Sequence, residues 1–192
     1  MESAGSEPKT AVPDATAVKV LVAGGVGTDT PALVGSVSDI PLLHVEEFFV
    51  VGGVADLASV GVDLGRITIS PELMLYLFGT STEDRSWFLW DELSTGALGA
   101  IVLADARALE DSAAAVDFFR GRGIPFVVGL DGVQGGRPPE ADEVRATLGL
   151  APTVPVRLCG GARRESTKQL LIALVESLMA AARTAPPVTA IR

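Results

Sequence analysis

The residues that most suggest chemistry form a glycine-rich segment, Gly24-Gly25-Val26-Gly27, directly after a short apolar run. A phosphate-binding loop of the pattern Gly-x-x-x-x-Gly-Lys-Ser/Thr needs glycines for close backbone approach, a lysine for the outer phosphates and a hydroxyl for Mg²⁺. Here Asp29 stands at the second glycine, Thr30 at the lysine and Pro31 at the hydroxyl. Asp29 brings a carboxylate into an anion cradle, and Pro31 removes a backbone N–H that would point at the phosphates. We therefore expect no tight triphosphate binding by this loop, which comprises Gly24, Gly25, Val26, Gly27, Thr28, Asp29, Thr30 and Pro31.

Two other interpretations of the same segment stay open. The spacing Gly25-x-Gly27-x-x-Thr30 is a weak form of a dinucleotide-binding fingerprint. Glu46 or Glu47 follows this segment by ~20 residues, the distance at which a ribose-binding acid is found. No clear strand ends at Glu46, which argues against that interpretation. The simplest interpretation is a structural turn from strand to helix that holds no ligand, and we favour it.

The remaining polar residues suggest no second reactive centre. His44 has no accompanying Ser, Cys or Asp set, so we expect it to be a surface loop residue. We expect Cys159 to be a small buried apolar residue and not a nucleophile. No metal site is predicted for four aspartates that fall on different predicted elements without ligand spacing: Asp63, Asp105, Asp111 and Asp117.

Composition narrows the class of protein. The 192 residues carry a net charge of −9, which argues against nucleic acid or anionic membranes as partners because both attract a basic surface. No apolar run approaches the ~18 residues of a membrane span, and we expect a cytoplasmic protein. We expect a disordered tail over 1–16, one domain over 17–183 and a flexible tail over 184–192.

The elements that would position these residues alternate between strand and helix. Thr30 is the predicted N-cap of the first helix, with Pro31 at its first position. Segment 38–58 is irregular and interrupted by glycines, and no element is predicted in it. Residues 61–69 alternate as an edge strand does, whereas residues 73–78 are solidly apolar, as in a central strand. Strands are predicted over 18–23, 61–69, 73–78, 99–105, 126–130 and 154–158, and helices over 31–37, 84–94, 112–122, 139–148 and 165–183.

A hairpin directly after the first strand and helix is the arrangement of Ras-like G domains. The alternation that follows indicates a mostly parallel sheet. We therefore predict an α/β fold, a Ras-like P-loop G domain, with a six-stranded mostly parallel sheet, one antiparallel hairpin strand and helices on both faces.

Residues 18–182 resemble the small GTPase-like component of actinobacterial conservon systems. The resemblance rests on stretches that match in order, among them Val20-Leu-Val-Ala-Gly-Gly25, Leu33-Val-Gly-Ser-Val-Ser-Asp-Ile40, Val62-Asp-Leu-Gly-Arg-Ile-Thr-Ile69, Leu75-Tyr-Leu-Phe-Gly-Thr80, Trp87-Phe-Leu-Trp-Asp91 and Gly123-Ile-Pro-Phe-Val-Val128. It implies a Ras-like G domain that acts with a roadblock-type (LC7-type) partner encoded alongside, which we expect to be a dimer.

The resemblance also locates the family's other nucleotide motifs, and this sequence departs from each. The family's Phe-Gly-Thr-Pro-Gly-Gln reads Phe78-Gly-Thr-Ser-Thr-Glu83, so Thr82 replaces the glycine that senses the γ-phosphate and Glu83 replaces the glutamine that orients water. Asp131 and Gln134 stand where Asn and Asp would read guanine. The resemblance implies these switch residues: Ser59, Gly79, Thr80, Ser81, Thr82 and Glu83. Among them, Ser59 would stand in for the Mg²⁺-sensing threonine.

The predicted helix 84–94 is apolar around nearly its whole circumference, so it must bury two faces. One face would lie on its own sheet. Segment 38–58 or a partner protein would cover the other, and Trp and Phe are the residues that dominate protein interfaces. In the related fold this helix is the second switch. The expected partner-interface residues are Arg85, Trp87, Phe88, Leu89 and Trp90.

These observations together predict a pseudo-GTPase, a signalling and interaction module that binds a roadblock-type partner without hydrolysing GTP. It would have no catalytic residues, no metal and no cofactor, and no nucleic-acid or integral-membrane partner. The alternative is a divergent nucleotide-binding GTPase or ATPase of the small GTPase superfamily, and weak GTP or GDP binding stays open.

Overall fold

Seven strands form one sheet in the computed structural model, which describes residues 15–51, 56–81, 87–132, 137–160 and 163–184. The strands are β1 (Thr16–Gly24), β2 (Leu43–Val51), β3 (Asp56–Ser70), β4 (Leu73–Ser81), β5 (Ala97–Asp105), β6 (Phe126–Asp131) and β7 (Val156–Leu158). The α-helices are α1 (Thr30–Val37), α2 (Trp87–Ser94), α3 (Ala113–Gly121), α4 (Ala141–Thr147) and α5 (Arg164–Thr184), and a 3-10 turn at Leu109–Ser112 precedes α3.

The strand order across the sheet is β2-β3-β4-β1-β5-β6-β7. β3 runs antiparallel to both of its neighbours, whereas β4, β1, β5, β6 and β7 are mutually parallel. β1 lies in the middle, and its carboxyl half is fully buried, as expected of a parallel strand covered on both faces. The predicted α/β fold with one antiparallel hairpin strand is confirmed.

The predicted number of strands is wrong: there are seven and not six. β2 was missed, and it occupies nine residues of the segment predicted to be irregular. β2 pairs with β3 from Leu43 opposite Leu64 to Val51 opposite Asp56. The prediction that residues 61–69 form an edge strand is therefore also wrong, since β3 lies between β2 and β4 and β2 is the edge.

Two hydrophobic clusters cover the two faces of the sheet. On one face, α1 and α5 pack over Val20, Val22 and Leu77. On the other face, α2, α3 and α4 pack over Leu21 and Phe78 together with the alternate residues of β5 and β6. Successive side chains of β1 point to opposite faces of the sheet, as in any strand, so this one sheet contributes to both hydrophobic clusters.

The described helix boundaries differ from the predicted ones by at most two residues. The N-cap of α1 is Asp29 and not Thr30, because Thr30 already has helical geometry and the Asp29 carboxylate accepts a hydrogen bond from the helix. The described part of the predicted helix 84–94 is Trp87–Ser94, and 82–86 lie outside the described residues. The predicted tails fall almost wholly on 1–14 and 185–192, which also lie outside them. Within the described residues, no helix is both long and apolar enough to span a bilayer.

Candidate functional site

The glycine-rich loop leaves the sheet at the edge where the parallel strands have their carboxyl ends. Gly24 is the last residue of β1 and pairs with Ser81 of β4 on one side and Leu103 of β5 on the other. The backbone N–H of Gly25 donates to the Leu103 carbonyl at 2.9 Å, which fixes the start of the loop. In open α/β sheets this edge is where ligands bind.

The inside of the loop is filled by its own hydroxyl groups. A Cβ added to Gly24 would clash with the hydroxyls of Thr28 and Thr30, so only glycine fits under these two side chains. Thr28 Oγ1 donates to the Gly25 carbonyl at 2.7 Å. Thr30 is 2% exposed, so the residue at the lysine position points inward and cannot extend into the cleft. Gly27 makes the turn with φ at +79°, a conformation that favours glycine.

Asp29 occupies the amino end of helix α1. Its Oδ1 accepts a hydrogen bond from the Ala32 backbone N–H at 2.9 Å, which is the usual N-cap geometry. Pro31, in the first turn, has no N–H to offer. The amino end of a helix is a ready site for an anion. Here a carboxylate of the chain itself takes one of the available donors, and proline removes another.

An ion pair between a buried carboxylate and an exposed guanidinium lies beside the loop at the end of β5. Asp105 is 5% exposed, and Arg107 donates four hydrogen bonds to it: the backbone N–H to Oδ1 at 2.8 Å, Nε to Oδ1 at 2.9 Å and to Oδ2 at 3.2 Å, and Nη2 to Oδ2 at 2.6 Å. These hydrogen bonds hold the pKa of Asp105 below its ordinary value. Sequence reasoning missed Arg107. The signal was an Asp-x-Arg sequence directly after a buried strand, which allows an Asx turn closed by the arginine.

The predicted base-reading residue Asp131 ends β6 directly opposite Asp105. Its Oδ1 accepts the Gly132 backbone N–H at 2.8 Å, so one carboxylate oxygen is used within its own turn. The structure thus brings Asp131 to the same edge as the loop and the Asp105–Arg107 pair. Its predicted companion Gln134 lies outside the described residues.

The predicted switch residues divide into three groups. Gly79, Thr80 and Ser81 lie at the carboxyl end of β4, next to β1, and Thr80 is buried. Ser59 lies within β3, where its backbone pairs with Phe48 of β2, and so belongs to a regular ladder and not to a switch loop. Its predicted role as a stand-in for the Mg²⁺-sensing threonine of the first switch stays a prediction. Thr82 and Glu83 lie outside the described residues, as does the predicted interface residue Arg85.

His44 was predicted to be a surface loop residue, and this is wrong because it lies on strand β2. Its Nδ1 is 2.8 Å from Oδ1 of Asp63, the residue directly opposite it on β3. The buried Asp63 carboxylate raises the pKa of His44, first through the hydrogen bond and then through its charge. Asp63 and Thr30 both border Gly79, which places the pair beneath the amino end of α1. Sequence reasoning could not find the pair because it depends on the register of an unpredicted strand.

Cys159 is 1% exposed and packs in the α1–α5 core, so its predicted role as a small buried residue is confirmed. Burial raises the pKa of its thiol, and the protonated form is a poor nucleophile. In the part of the chain that the structure describes, no three His, Cys, Asp or Glu side chains are placed to share a metal ion.

Trp90 was predicted to face a partner, and this is wrong because its ring is 6% exposed. The indole stacks on Phe119 at a centroid distance of 6.1 Å and meets the Phe118 ring edge-on at 5.1 Å. It therefore anchors α2 to the core. Trp87, Phe88 and Leu89 belong to α2, but their side chains lie outside the described part.

A partly exposed apolar surface lies on β2 and β3, on the face of the sheet that α2 also covers. Leu43 and Val45 of β2 are 53% and 46% exposed, and they pair with Leu64 and Val62 of β3, which are half-buried. Leu64 in turn pairs with Phe78, which packs against the α2-side core. Paired residues share a face of the sheet. We call these four residues the β2–β3 apolar face, and it continues the side of the sheet that α2 covers.

Comparison with known proteins supports this architecture. No protein-family model matches the chain, and no curated protein matches it. Among solved structures, it is similar to the G domain of the FeoB iron transporter of T. maritima, with a TM-score of 0.56 and 17% sequence identity over 84% of this chain and 99% of that one. The protein therefore has the α/β fold of a P-loop G domain, with a sheet of seven strands.

Proposed function

We propose that this protein is a pseudo-GTPase, an interaction module with a G-domain fold that neither binds guanine nucleotides tightly nor hydrolyses GTP. The observation that carries the proposal is the Asp29 carboxylate bound to the amino end of α1. A phosphate placed there would meet a negative charge at close range and compete for the same donor. Thr30 turns inward and Pro31 lacks an N–H, so neither offers a compensating contact.

Other positions point in the same direction. Arg107 follows β5 at the same edge of the sheet as the loop, but its guanidinium already binds the Asp105 carboxylate. Asp131 adds a further carboxylate at the carboxyl edge of the sheet. Thr82, Glu83 and Gln134 replace the residues that the resemblance assigns to γ-phosphate sensing, water orientation and base reading. The proposal therefore rests on several departures and not on the missing lysine alone.

The nucleotide part of the proposal is tested by titrating the protein with fluorescent GTP and GDP in the presence of Mg²⁺. We expect no saturable binding in the micromolar range. The matched variant restores the loop chemistry with Asp29→Gly, Thr30→Lys and Pro31→Thr, and we expect it to gain affinity. Micromolar or tighter binding by the unmodified protein would contradict the proposal and favour the alternative, a divergent nucleotide-binding GTPase.

The partner we propose is a dimer of a roadblock-type protein, bound in the cytoplasm. Its binding surface would be α2 together with the β2–β3 apolar face. Two facts support this surface: Leu43 and Val45 are about half exposed, and β2 is the sheet edge, with an outer backbone side that can pair with another strand. The burial of Trp90 shifts the proposed contact from that ring to Trp87 and the strand residues.

The partner proposal is tested by co-purification with the roadblock-type protein encoded beside this gene. Leu43→Glu and Trp87→Ala should each reduce the retained complex strongly. Leu158→Glu is the matched control, because Leu158 is also a 53% exposed leucine on a strand but lies at the other end of the sheet. If both interface variants retain the complex as well as this control does, the proposed surface is wrong.

A further inference from the structure

A second apolar surface lies on the opposite side of the sheet from α2. It is a groove of about 370 Å³ between the β3–β4 hairpin and helix α5. Ile67, Ile69 and Leu75 form its hairpin wall, and Leu171 and Val175 form part of its helix wall. Ile69 is 58% exposed, so the groove opens directly to the surface.

Helix α5 presents an apolar stripe on the side that faces away from the core. At about 100° per residue, Leu170 and Leu174 lie on one side of the helix and are buried. Ile172, Val175 and Met179 lie on the other side and are 47%, 49% and 51% exposed. A helix whose outward side is apolar over two turns is typical of one that packs against a further helix.

The charges that flank this stripe are arranged in a self-complementary way. Lys168 lies four residues before Ile172 and Glu176 four residues after it, and all three border the groove. Residues four apart are neighbours along one side of a helix. Read in the opposite direction, the order cation, isoleucine, anion becomes anion, isoleucine, cation. The stripe therefore matches an antiparallel copy of itself in charge.

We propose that two copies of this protein dimerise through α5, packed antiparallel across a twofold axis that passes near Ile172. Such an axis brings position 172 + k of one helix opposite position 172 − k of the other. Ile172 then meets Ile172 of the second copy, and Lys168 meets Glu176 of the second copy. The symmetry repeats the ion pair, so each dimer contains two. By the same rule Val175 lies opposite Gln169 and Met179 opposite Glu165 of the second copy, so the apolar contact is centred on Ile172.

The dimer surface is distinct from the proposed partner surface. α5 packs on the α1 side of the sheet, and the β2–β3 apolar face lies on the α2 side. Both surfaces can therefore be occupied at once, and one can be removed by mutation without altering the other. The dimer proposal does not depend on the pseudo-GTPase proposal.

The test is the molar mass in solution, measured over a range of protein concentrations by sedimentation or by light scattering after size exclusion. The unmodified chain should be a dimer that dissociates on dilution. Lys168→Glu and Glu176→Lys should each raise the dimer dissociation constant by about tenfold or more, because each change creates two repulsive contacts. Combining the two changes restores opposite charges across the axis and should restore most of the affinity.

Two further variants separate this interface from any other. Ile172→Glu should give a monomer, whereas Leu98→Glu, a change at a similarly exposed apolar residue on β5, should leave the dimer intact. A monomeric unmodified chain would overturn the proposal and leave the groove to another segment or protein. A dimer that survives Ile172→Glu and both single charge reversals would also overturn it, since a different surface would then hold the copies together.

Discussion

Asp29 affects both the stability of helix α1 and the capacity of the neighbouring loop to bind an anion. Its carboxylate satisfies the Ala32 N–H, a donor that would otherwise need water or a ligand. A glycine at this position would leave that donor open to a phosphate. The same side chain thus stabilises the helix and disfavours an anion, and both effects come from one hydrogen bond.

Replacing Asp29 by alanine should destabilise the protein by about 1 kcal/mol, the usual cost of losing an N-cap side chain. Asp29→Asn is the control, because an amide oxygen caps a helix about as well as a carboxylate does. Urea denaturation of the three proteins measures the difference in unfolding free energy. An alanine variant as stable as the unmodified protein would show that Asp29 does not act as a cap.

His44 is the only histidine in the chain, so its imidazole signals in an NMR titration can be assigned without ambiguity. We expect its pKa to lie above the ordinary value of 6.5, because the nearby Asp63 carboxylate stabilises the protonated ring. In Asp63→Asn the pKa should fall towards the ordinary value. An unshifted pKa in the unmodified protein would contradict the pairing of β2 and β3 at this position.

The raised pKa of His44 also sets the direction of a pH effect on stability. A histidine whose folded pKa is raised contributes its stability fully below the unfolded pKa of 6.5 and loses it as pH rises through the folded pKa. The stability lost in His44→Gln should therefore be larger at mildly acidic pH than at alkaline pH. Denaturation midpoints of both proteins across that range give the comparison, and a loss that grows with pH would refute the linkage.

Among the secondary-structure elements, α2 is held by Trp90, by Lys19 and by an ion pair between Asp91 and Arg122. Trp90 packs in the core against Phe118 and Phe119. Lys19 of β1 donates to the carbonyls of Leu93 and Thr95 at 3.0 and 2.8 Å, which satisfies the carboxyl end of the helix. The helix is therefore fixed by its inward side.

Trp90→Ala should destabilise the fold by about 3–5 kcal/mol, the usual range for removing a buried aromatic side chain. Trp90→Phe keeps most of the apolar volume and should cost less. Thermal and urea denaturation distinguish this core role from the interface role that the sequence suggested. A stable Trp90→Ala variant that fails only in partner binding would restore the interface interpretation.

The fold was predictable from sequence where strands are buried on both faces. β1, β4, β5 and β6 contain continuous apolar runs that end at glycine or polar residues, and these runs define their positions well. β2 was not predictable in the same way. Its residues Leu43 to Val51 include His44, Glu46 and Glu47, and Gly52-Gly53 follow, so polar residues and glycines interrupt the apolar pattern. Its strand conformation depends on pairing with β3, which begins after only four intervening residues but was not predicted to extend back to Asp56.

The candidate site, like the fold, was predictable from the sequence only in part. The residue types at the loop, and the loss of the lysine and hydroxyl positions, are visible in the sequence alone. The inward rotation of Thr30 and the capping role of Asp29 are not, because both depend on where α1 begins relative to the loop. The Asp105–Arg107 pair depends on the turn that follows β5, and the conformation of that turn could not be predicted from the sequence.

For the molecule as a whole, one sheet carries two partly exposed apolar surfaces on opposite faces. The β2–β3 apolar face lies beside α2, and the α5 groove lies on the other side. Exposed apolar patches of this kind usually mark protein contacts. Two such surfaces on a G-domain fold are what we would expect if the proposed role in assembling proteins is right.

The thermal stability of the whole molecule should not change when a guanine nucleotide is added. A ligand that binds only the folded state at a hundred times its dissociation constant adds about 2.7 kcal/mol to the unfolding free energy, which raises the Tm of a domain this size by about 5–10 °C. A true GTPase would show such a shift with excess Mg²⁺–GTP or Mg²⁺–GDP. Here we expect the Tm to stay unchanged in differential scanning calorimetry, with the variant carrying Asp29→Gly, Thr30→Lys and Pro31→Thr as the control for a gained shift. A clear rise in the unmodified protein would mean that the carboxylate at α1 yields to phosphate.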